Sequence, residues 1–259
     1  MIEQILITSC EHQSYRRGAG LAFFEYFGYD LNIIDIVWGL HGDYYSAEEI
    51  NTAMESIIGR PFEDAYQFPH DISCHEAYLR GIQTVINTNK NTILMEDDHY
   101  LIVPAKELNN KLENLDRIAK TMDRKIGVVQ LHTVGNHNGQ PEIPIPGAED
   151  FCFGSTRGSR TANFWTPHGA ALYMEAMLSG RSGSVNPEND LPLRLYAEPW
   201  VFSIYNPDDT GGHIGKFVFR NKWLDGDSLG YRFTKEGIEK RRSPERMAQN
   251  EMILEKFKL

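Results

Sequence analysis

Three consecutive carboxylates follow a short apolar run near the middle of the chain. Residues 93–99 read Ile-Leu-Met-Glu-Asp-Asp-His. The pattern predicts a buried strand over residues 92–95, and carboxylates held together at its end repel one another unless a cation lies between them. In an extended segment Glu96 and Asp98 point to one side and Asp97 to the other. The sequence therefore predicts a divalent-metal site at a strand end, with a solvated acidic turn as the alternative.

The types of the candidate ligands narrow the choice of metal. Carboxylate oxygens favour Mg²⁺, Mn²⁺ or Ca²⁺ over Zn²⁺. His213 lies in the sequence Gly-Gly-His-Ile-Gly, where the glycines allow backbone and ligand to approach closely. We consider it a candidate third ligand, which would favour Mn²⁺. The alternative is an exposed loop histidine.

A sheet is needed to position these side chains, and the chain has the pattern of one. Short apolar runs alternate with amphipathic stretches, which is typical of an α/β domain with a mixed, mostly parallel sheet flanked by helices. The predicted strands cover residues 4–8, 31–37, 92–95, 126–131, 161–165, 200–205 and 216–219. The predicted helices cover residues 16–27, 47–58, 74–87, 105–122 and 169–179.

Local signals predict where some of these elements begin and what joins them. Ser46 and Glu49 have the spacing of a capping box for the second helix. Asp71 or Ser73 is a candidate cap for the third. Residues 135–158 mix Asn and Gln with prolines and glycines, which predicts a long loop.

Composition places the chain among ordinary globular proteins. It has 259 residues, of which 41% are hydrophobic and 24% charged. No apolar run is long enough to span a membrane, and the first strand has no basic region before it, so we expect a cytoplasmic protein without a signal peptide. Its three cysteines are far apart in sequence, which favours reduced thiols over disulfides.

Charge is distributed unevenly along the chain. The net charge is −10, yet residues 216–259 contain eleven Lys or Arg against seven Asp or Glu. We expect residues 1–214 to form one domain and residues 215–259 to form a basic extension packed on it. This extension is a candidate contact for a membrane surface or a nucleic acid, and a solvated basic helix is the alternative.

Four stretches of the chain match one family pattern. They are residues 5–17, which end in Arg16 and Arg17; residues 34–39; residues 73–78 together with 93–98; and residues 162–178 followed by Asp190. Together they resemble glycosyltransferase family 25, the lipopolysaccharide-type galactosyltransferases of the GT-A fold. The third stretch is the most specific. It is similar to the family's cysteine-bearing helix followed by Leu-Glu-Asp-Asp.

The resemblance implies a metal-dependent, inverting glycosyltransferase. Its donor would be a nucleotide-diphosphate sugar, such as a UDP-hexose carrying galactose or glucose, and its metal Mn²⁺ or Mg²⁺. In this interpretation Asp98 binds the metal and Glu96 binds the metal or the ribose. Asp97 would face away from the ion or touch the donor sugar. Asp35 would reach the nucleotide. Arg16 or Arg17 would neutralise phosphate or position the base.

An inverting transfer also needs a base for the acceptor hydroxyl. Asp190 is the first candidate, because it follows a Gly/Ser-rich loop and precedes an apolar segment; a helix cap is its alternative role. Glu198 is the second candidate. Trp165 and Trp200 are candidates for stacking on a sugar or base, although a core position is the commoner role for such residues.

The acceptor is left open by the residues. A saccharide, a lipopolysaccharide precursor, a protein side chain and a modified DNA base all carry a suitable hydroxyl. Two other function classes also compete. A nucleotidyltransferase shares the acidic strand end but normally has a Gly-rich, basic loop after its first strand, a pattern that residues 7–18 lack. A non-catalytic relative would bind a partner through the basic extension.

Overall fold

The computed structural model describes residues 1–10, 14–59, 69–97, 99–101, 103–121, 125–131, 143–153, 162–178, 199–204 and 219–221. The strands are β1 (Gln4–Ser9), β2 (Ile34–Trp38), β3 (Thr92–Glu96), β4 (His99–Leu101), β5 (Lys125–Gln130), β6 (Ile143–Ile145), β7 (Ala148–Phe153), β8 (Ala162–Trp165), β9 (Pro199–Ile204) and β10 (Phe219–Asn221). The helices are α1 (Ser14–Tyr26), α2 (Ala47–Ile58), α3 (Pro69–Thr88), α4 (Ala105–Thr121) and α5 (Pro167–Leu178). A single 3₁₀ turn, Leu31–Ile33, precedes β2.

Eight of these strands form one mixed sheet in the order β2-β1-β3-β8-β5-β9-β7-β6. β1 pairs in parallel with both β2 and β3, and β5 pairs in parallel with β9. β8 lies antiparallel between β3 and β5, and β7 lies antiparallel to β9. The α/β class and the mixed sheet expected from the sequence are therefore confirmed, whereas the expectation of mostly parallel pairing was wrong, since four of the seven strand pairings that the structure describes in this sheet are antiparallel. The carboxyl ends of β1, β2 and β3 meet at one edge of the sheet.

Helices cover both faces of the sheet because the strands alternate apolar side chains between them. On one face Ile7 packs in a cluster with Phe24 of α1 and Leu112 of α4. On the other face Leu6 packs in a cluster with Met54 of α2, to which α3 and α5 also contribute. A strand buried on both sides gives the continuous apolar runs seen in β1 and β3.

The second helix matches its sequence prediction at both ends. Ser46 Oγ accepts a hydrogen bond from the Glu49 backbone N–H at 3.2 Å, and Glu49 Oε2 accepts one from the Ser46 backbone N–H at 2.8 Å. The predicted capping box is thus confirmed. The hydrogen bonds from Ser46 hold the pKa of Glu49 below its ordinary value. Gly59, at φ 71°, ends the helix in the left-handed conformation that glycine accepts without strain.

Two local predictions were wrong. α3 begins at Pro69, so Asp71 and Ser73 lie inside the helix and neither is its cap. Proline fits the first turn of a helix, because the N–H that it lacks would have no partner there. The loop predicted over residues 135–158 contains the antiparallel pair β6 and β7. Gly147, at φ 81°, lies in the turn between these two strands.

The start of α5 is attached directly to β5. The Thr166 backbone N–H donates to the Gly127 carbonyl oxygen at 3.0 Å, and Thr166 Oγ1 donates to the Ile126 carbonyl oxygen at 2.7 Å. The Gly169 N–H in turn donates to Thr166 Oγ1 at 3.1 Å, with Pro167 at the first helical position. The helix and strand backbones come so close here that a Cβ on Gly169 would lie 2.6 Å from the Gly127 Cα.

The predicted boundary at residue 214 lies outside the described residues. Of the basic extension, β10 is described, and it pairs antiparallel with β4, so that Phe219 lies opposite Leu101. Among the described helices, none is long and apolar enough to cross a membrane.

Candidate active site

Two neighbouring strand ends bring a hydroxyl to one of the predicted carboxylates. In the parallel register Thr8 of β1 lies beside Glu96 of β3. One residue further along, Ser9 Oγ donates a 2.5 Å hydrogen bond to Asp97 Oδ2. Ser9 and Asp97 are 88 residues apart in sequence. The bond therefore fixes the orientation of the Asp97 carboxylate by tertiary contact.

Connections from β1 and β2 leave the sheet on opposite faces, although the two strands stay paired up to their last residues, Ser9 and Trp38. α1 follows β1 and packs with the cluster of Ile7 and Phe24, whereas α2 follows β2 and packs with that of Leu6 and Met54. In open α/β sheets, ligands bind in the crevice that such a divergence leaves beyond the carboxyl ends of the strands. Strand order reverses at β1, so the expected crevice lies beyond the carboxyl ends of β1 and β3, at Ser9 and the acidic end of β3. Trp38 lies beside Ser9 in the β1–β2 register.

The segment after β2 is held against α3 by a buried carboxylate. Glu76 is fully buried, accepts a hydrogen bond from the Leu40 N–H at 3.2 Å, and forms an ion pair with Arg80 one helical turn away. Gly39 lies so close to α3 that a Cβ on it would be 2.6 Å from the Ala77 Cβ. α3 therefore fixes where the chain leaves β2 at the edge of the crevice.

Replacing Glu76 with Gln is expected to lower the free energy of unfolding by about 2 kcal/mol, as measured by urea denaturation. The amide weakens both the ion pair to Arg80 and the hydrogen bond to Leu40 in a buried setting. The Arg80 side chain is 41% exposed, so water can solvate its charge once the ion pair is weakened. The loss of stability is therefore smaller than for a fully buried ion pair.

The matched control for this experiment is Glu107→Gln in α4. Glu107 makes the same i,i+4 pair, with Lys111 at 3.2 Å, but is 47% exposed. We expect it to change stability by less than about 0.5 kcal/mol. Equal effects of the two substitutions would show that burial of Glu76 does not carry the stabilisation.

The structure brings together some of the predicted site residues. Glu96 and Asp97 lie at the end of β3, and both are half-buried. Arg16 and Arg17 lie in the first turn of α1, and their side chains are outside the described part. Four other predicted residues of the site fall outside the described residues: Asp98, Asp190, Glu198 and His213.

Asp35 lies away from the acidic end of β3. In the sheet register it is beside Leu6, two residues before the level of Glu96. Its Oδ2 accepts a hydrogen bond at 3.0 Å from the side-chain amide of Gln4, at the start of β1. The structure therefore does not bring Asp35 together with Glu96 and Asp97.

Trp165 is a core residue. It is buried, and its ring lies edge-on to Tyr173 at a centroid distance of 5.5 Å. Its Nε1–H donates to the Tyr78 hydroxyl oxygen at 3.1 Å, and the Asn163 side-chain amide donates to the same oxygen, also at 3.1 Å. The core interpretation of Trp165 is thus confirmed. The side chain of Trp200 lies outside the described part.

Sequence reasoning missed three residues of this edge: Ser9, Trp38 and Glu76. Ser9 and Trp38 end the first two strands, and a polar or aromatic residue at the carboxyl end of a parallel strand is itself a signal that a site is near. Glu76 carried no such signal, since an acidic residue four positions before Arg80 resembles an ordinary surface pair.

The described residues fit a hard cation in type and supply part of a coordination set. Glu96 and Asp97 offer carboxylate oxygens, which suit Mg²⁺ or Mn²⁺. No group of three or more His, Cys, Asp or Glu with metal-binding geometry occurs within the residues that the structure describes. Asp98, another residue outside that part of the chain, water or a substrate phosphate would supply the remaining ligands.

Comparison with known proteins assigns no family. No protein-family model matches the sequence, and no curated protein matches it either.

Proposed function

We propose that the chain is a metal-dependent glycosyltransferase of the GT-A type. It moves a hexose from a nucleotide-diphosphate sugar, such as a UDP-sugar, to a hydroxyl acceptor with inversion. The observation that carries the proposal is the placement of Glu96 and Asp97 beside the expected crevice at the carboxyl ends of β1 and β3, with Asp97 oriented by Ser9. A nucleotide in that crevice has its phosphates next to the carboxylates.

Two further features support the proposal. In the sheet β2, β1 and β3 are parallel neighbours and antiparallel β8 follows them, so the acidic strand β3 is the last strand of this parallel group. The sequence of residues 73–78 and 93–98 resembles glycosyltransferase family 25, in which the acidic strand end serves the donor.

Each residue of the site has a role in this proposal. When bound by Glu96, Asp98 and His213, a divalent cation would supply positive charge that offsets the charge developing on the departing diphosphate. Ser9 keeps Asp97 in one orientation. The remaining roles fall to residues whose side chains lie outside the described part: Arg16 or Arg17 binds phosphate, and Asp190, or Glu198 in its place, takes the proton of the acceptor hydroxyl.

The first turn of α1 adds a second attraction for phosphate. α1 begins at Ser14, five residues after the end of β1. Unpaired backbone N–H groups and the helix dipole make a helix N-terminus favourable for anions. Arg16 and Arg17 lie in this same turn and add formal positive charge to it.

The test is hydrolysis of a panel of nucleotide sugars by the full chain, with and without Mn²⁺. We expect slow release of the nucleoside diphosphate from at least one donor, dependent on the metal. If no nucleotide sugar is bound or hydrolysed, the transferase proposal is wrong. Release of pyrophosphate from a nucleoside triphosphate in the presence of a sugar 1-phosphate would identify a nucleotidyltransferase instead.

A further inference from the structure

The segment between β2 and α2 exposes an unusual amount of aromatic surface. Among the described residues, five large hydrophobic side chains are exposed, and three of them lie in residues 38–45. These are Trp38 at 48% exposed, Tyr44 at 63% and Tyr45 at 42%. We call residues 38–45 the aromatic loop. Clustered exposed aromatic rings beside a crevice are typical of a binding surface.

Hydrogen bonds hold the aromatic loop in one shape. The backbone N–H groups of Tyr44 and Tyr45 donate to the His41 carbonyl oxygen at 2.9 and 3.1 Å. The Asp43 N–H donates to the His41 Nδ1 at 3.2 Å, and the His41 and Tyr44 rings lie 5.6 Å apart. The buried Glu76 holds Leu40 at one end of the loop. A surface ordered in advance loses little conformational entropy when a ligand binds.

The charge of the aromatic loop and its flanking residues disfavours polyanions as its ligand. Residues 31–59 contain five acidic residues and no Lys or Arg. Nucleic acids and phosphate-rich lipids bind through basic side chains, which residues 31–59 do not supply. A neutral, polyhydroxylated ligand fits better, since the apolar face of a pyranose ring packs on an aromatic ring while its hydroxyls donate to a carboxylate such as that of Asp43.

We propose that the aromatic loop binds a neutral pyranose ring of the acceptor. Trp38 is the register partner of Ser9, whose hydroxyl contacts Asp97, so the loop begins directly beside the candidate donor crevice. The ring stacks on Tyr44 and Tyr45, and this places a saccharide next to the reacting centre. The acceptor role rests on the proposed function, whereas saccharide binding by the loop does not.

The experiment measures saccharide binding to the full chain by saturation-transfer NMR, with lactose, maltotriose and methyl β-galactoside as probes. We expect at least one probe to bind, and Tyr44→Ala or Tyr45→Ala to weaken its binding by about fivefold or more. Tyr44→Phe is expected to keep binding, because the ring face and not the hydroxyl makes the contact. A Tyr44→Ala variant that binds as the wild type does, or the absence of binding by every probe, would overturn the proposal.

The matched control is Tyr26→Ala. Tyr26 is 56% exposed, close to the 63% of Tyr44, but lies at the far end of α1, the helix that starts beyond the carboxyl end of β1. Its replacement should leave saccharide binding unchanged, and an equal loss would overturn the assignment to the loop. UDP-galactose binding, measured in parallel by calorimetry, separates the two proposals. Saccharide binding without nucleotide-sugar binding would remove the proposed function and leave the loop assignment in place.

Discussion

Glu96→Gln is expected to reduce metal-dependent turnover of a nucleotide sugar by about 100-fold or more. The amide has the shape of the carboxylate but lacks its charge, and it is a weaker ligand for Mn²⁺ and Mg²⁺. The fold should be unaffected, because Glu96 is the last residue of β3 and is half-buried. Asp98→Ala should produce a loss at least as large.

The measurement is the initial rate of nucleoside diphosphate release over a Mn²⁺ titration. A variant that has lost a metal ligand needs more Mn²⁺ for half-maximal rate, whereas a variant that is merely unstable does not. Glu25→Gln, on the exposed surface of α1, is the matched control and should behave as the wild type. If Glu96→Gln keeps both the rate and the Mn²⁺ requirement, Glu96 is not a ligand.

Gly169→Ala is expected to destabilise the protein by about 3 kcal/mol. A Cβ on Gly169 meets the backbone of Gly127 in β5, including the carbonyl oxygen that accepts from the Thr166 N–H, and a strand backbone cannot rotate aside as a side chain can. In an ordinary helix the same substitution would stabilise by about 1 kcal/mol, so the expected effect has the opposite sign to that given by helix propensity. Urea denaturation of the two proteins measures it.

Gly81→Ala provides the comparison, since Gly81 also lies in a helix that packs on the sheet. Its added Cβ would meet the end of the Leu94 side chain, with Leu94 Cδ2 at 2.9 Å. A side-chain end can rotate away, so we expect a cost of about 1 kcal/mol. The explanation from backbone contact fails if Gly81→Ala proves as costly as Gly169→Ala.

Elements with strong local signals were predictable from the sequence. Both ends of α2 were, because the Ser46–Glu49 capping box and Gly59 mark them without reference to the rest of the chain. β3 was predictable because a strand buried on both faces needs an unbroken apolar run. The β6–β7 pair was not, since the prolines and glycines around it are equally typical of a loop.

Contacts between segments that are distant in sequence could not be predicted from local sequence patterns. The acidic cluster could be recognised in the sequence because its three carboxylates are consecutive. The hydrogen bond from Ser9 to Asp97 could not, because it depends on β1 and β3 being neighbouring strands in a particular register. Asp35 was predicted to contact a ligand from its sequence context. In the structure it lies beside Leu6 in the β1–β2 register, and its carboxylate accepts a hydrogen bond from the Gln4 side chain. Strand order decides both outcomes, and local patterns do not encode strand order.

Strand β8 has a mechanical consequence for the whole sheet. It has four residues, and the hydrogen-bonded path from the β2-β1-β3 half to the β5-β9-β7-β6 half runs through it. The Tyr78 hydroxyl oxygen of α3 accepts hydrogen bonds from Asn163 and Trp165 and so holds β8 against this helix. The same helix holds the segment after β2 through Glu76. One helix, α3, therefore holds both the strand that joins the two halves of the sheet and the segment beside the expected crevice.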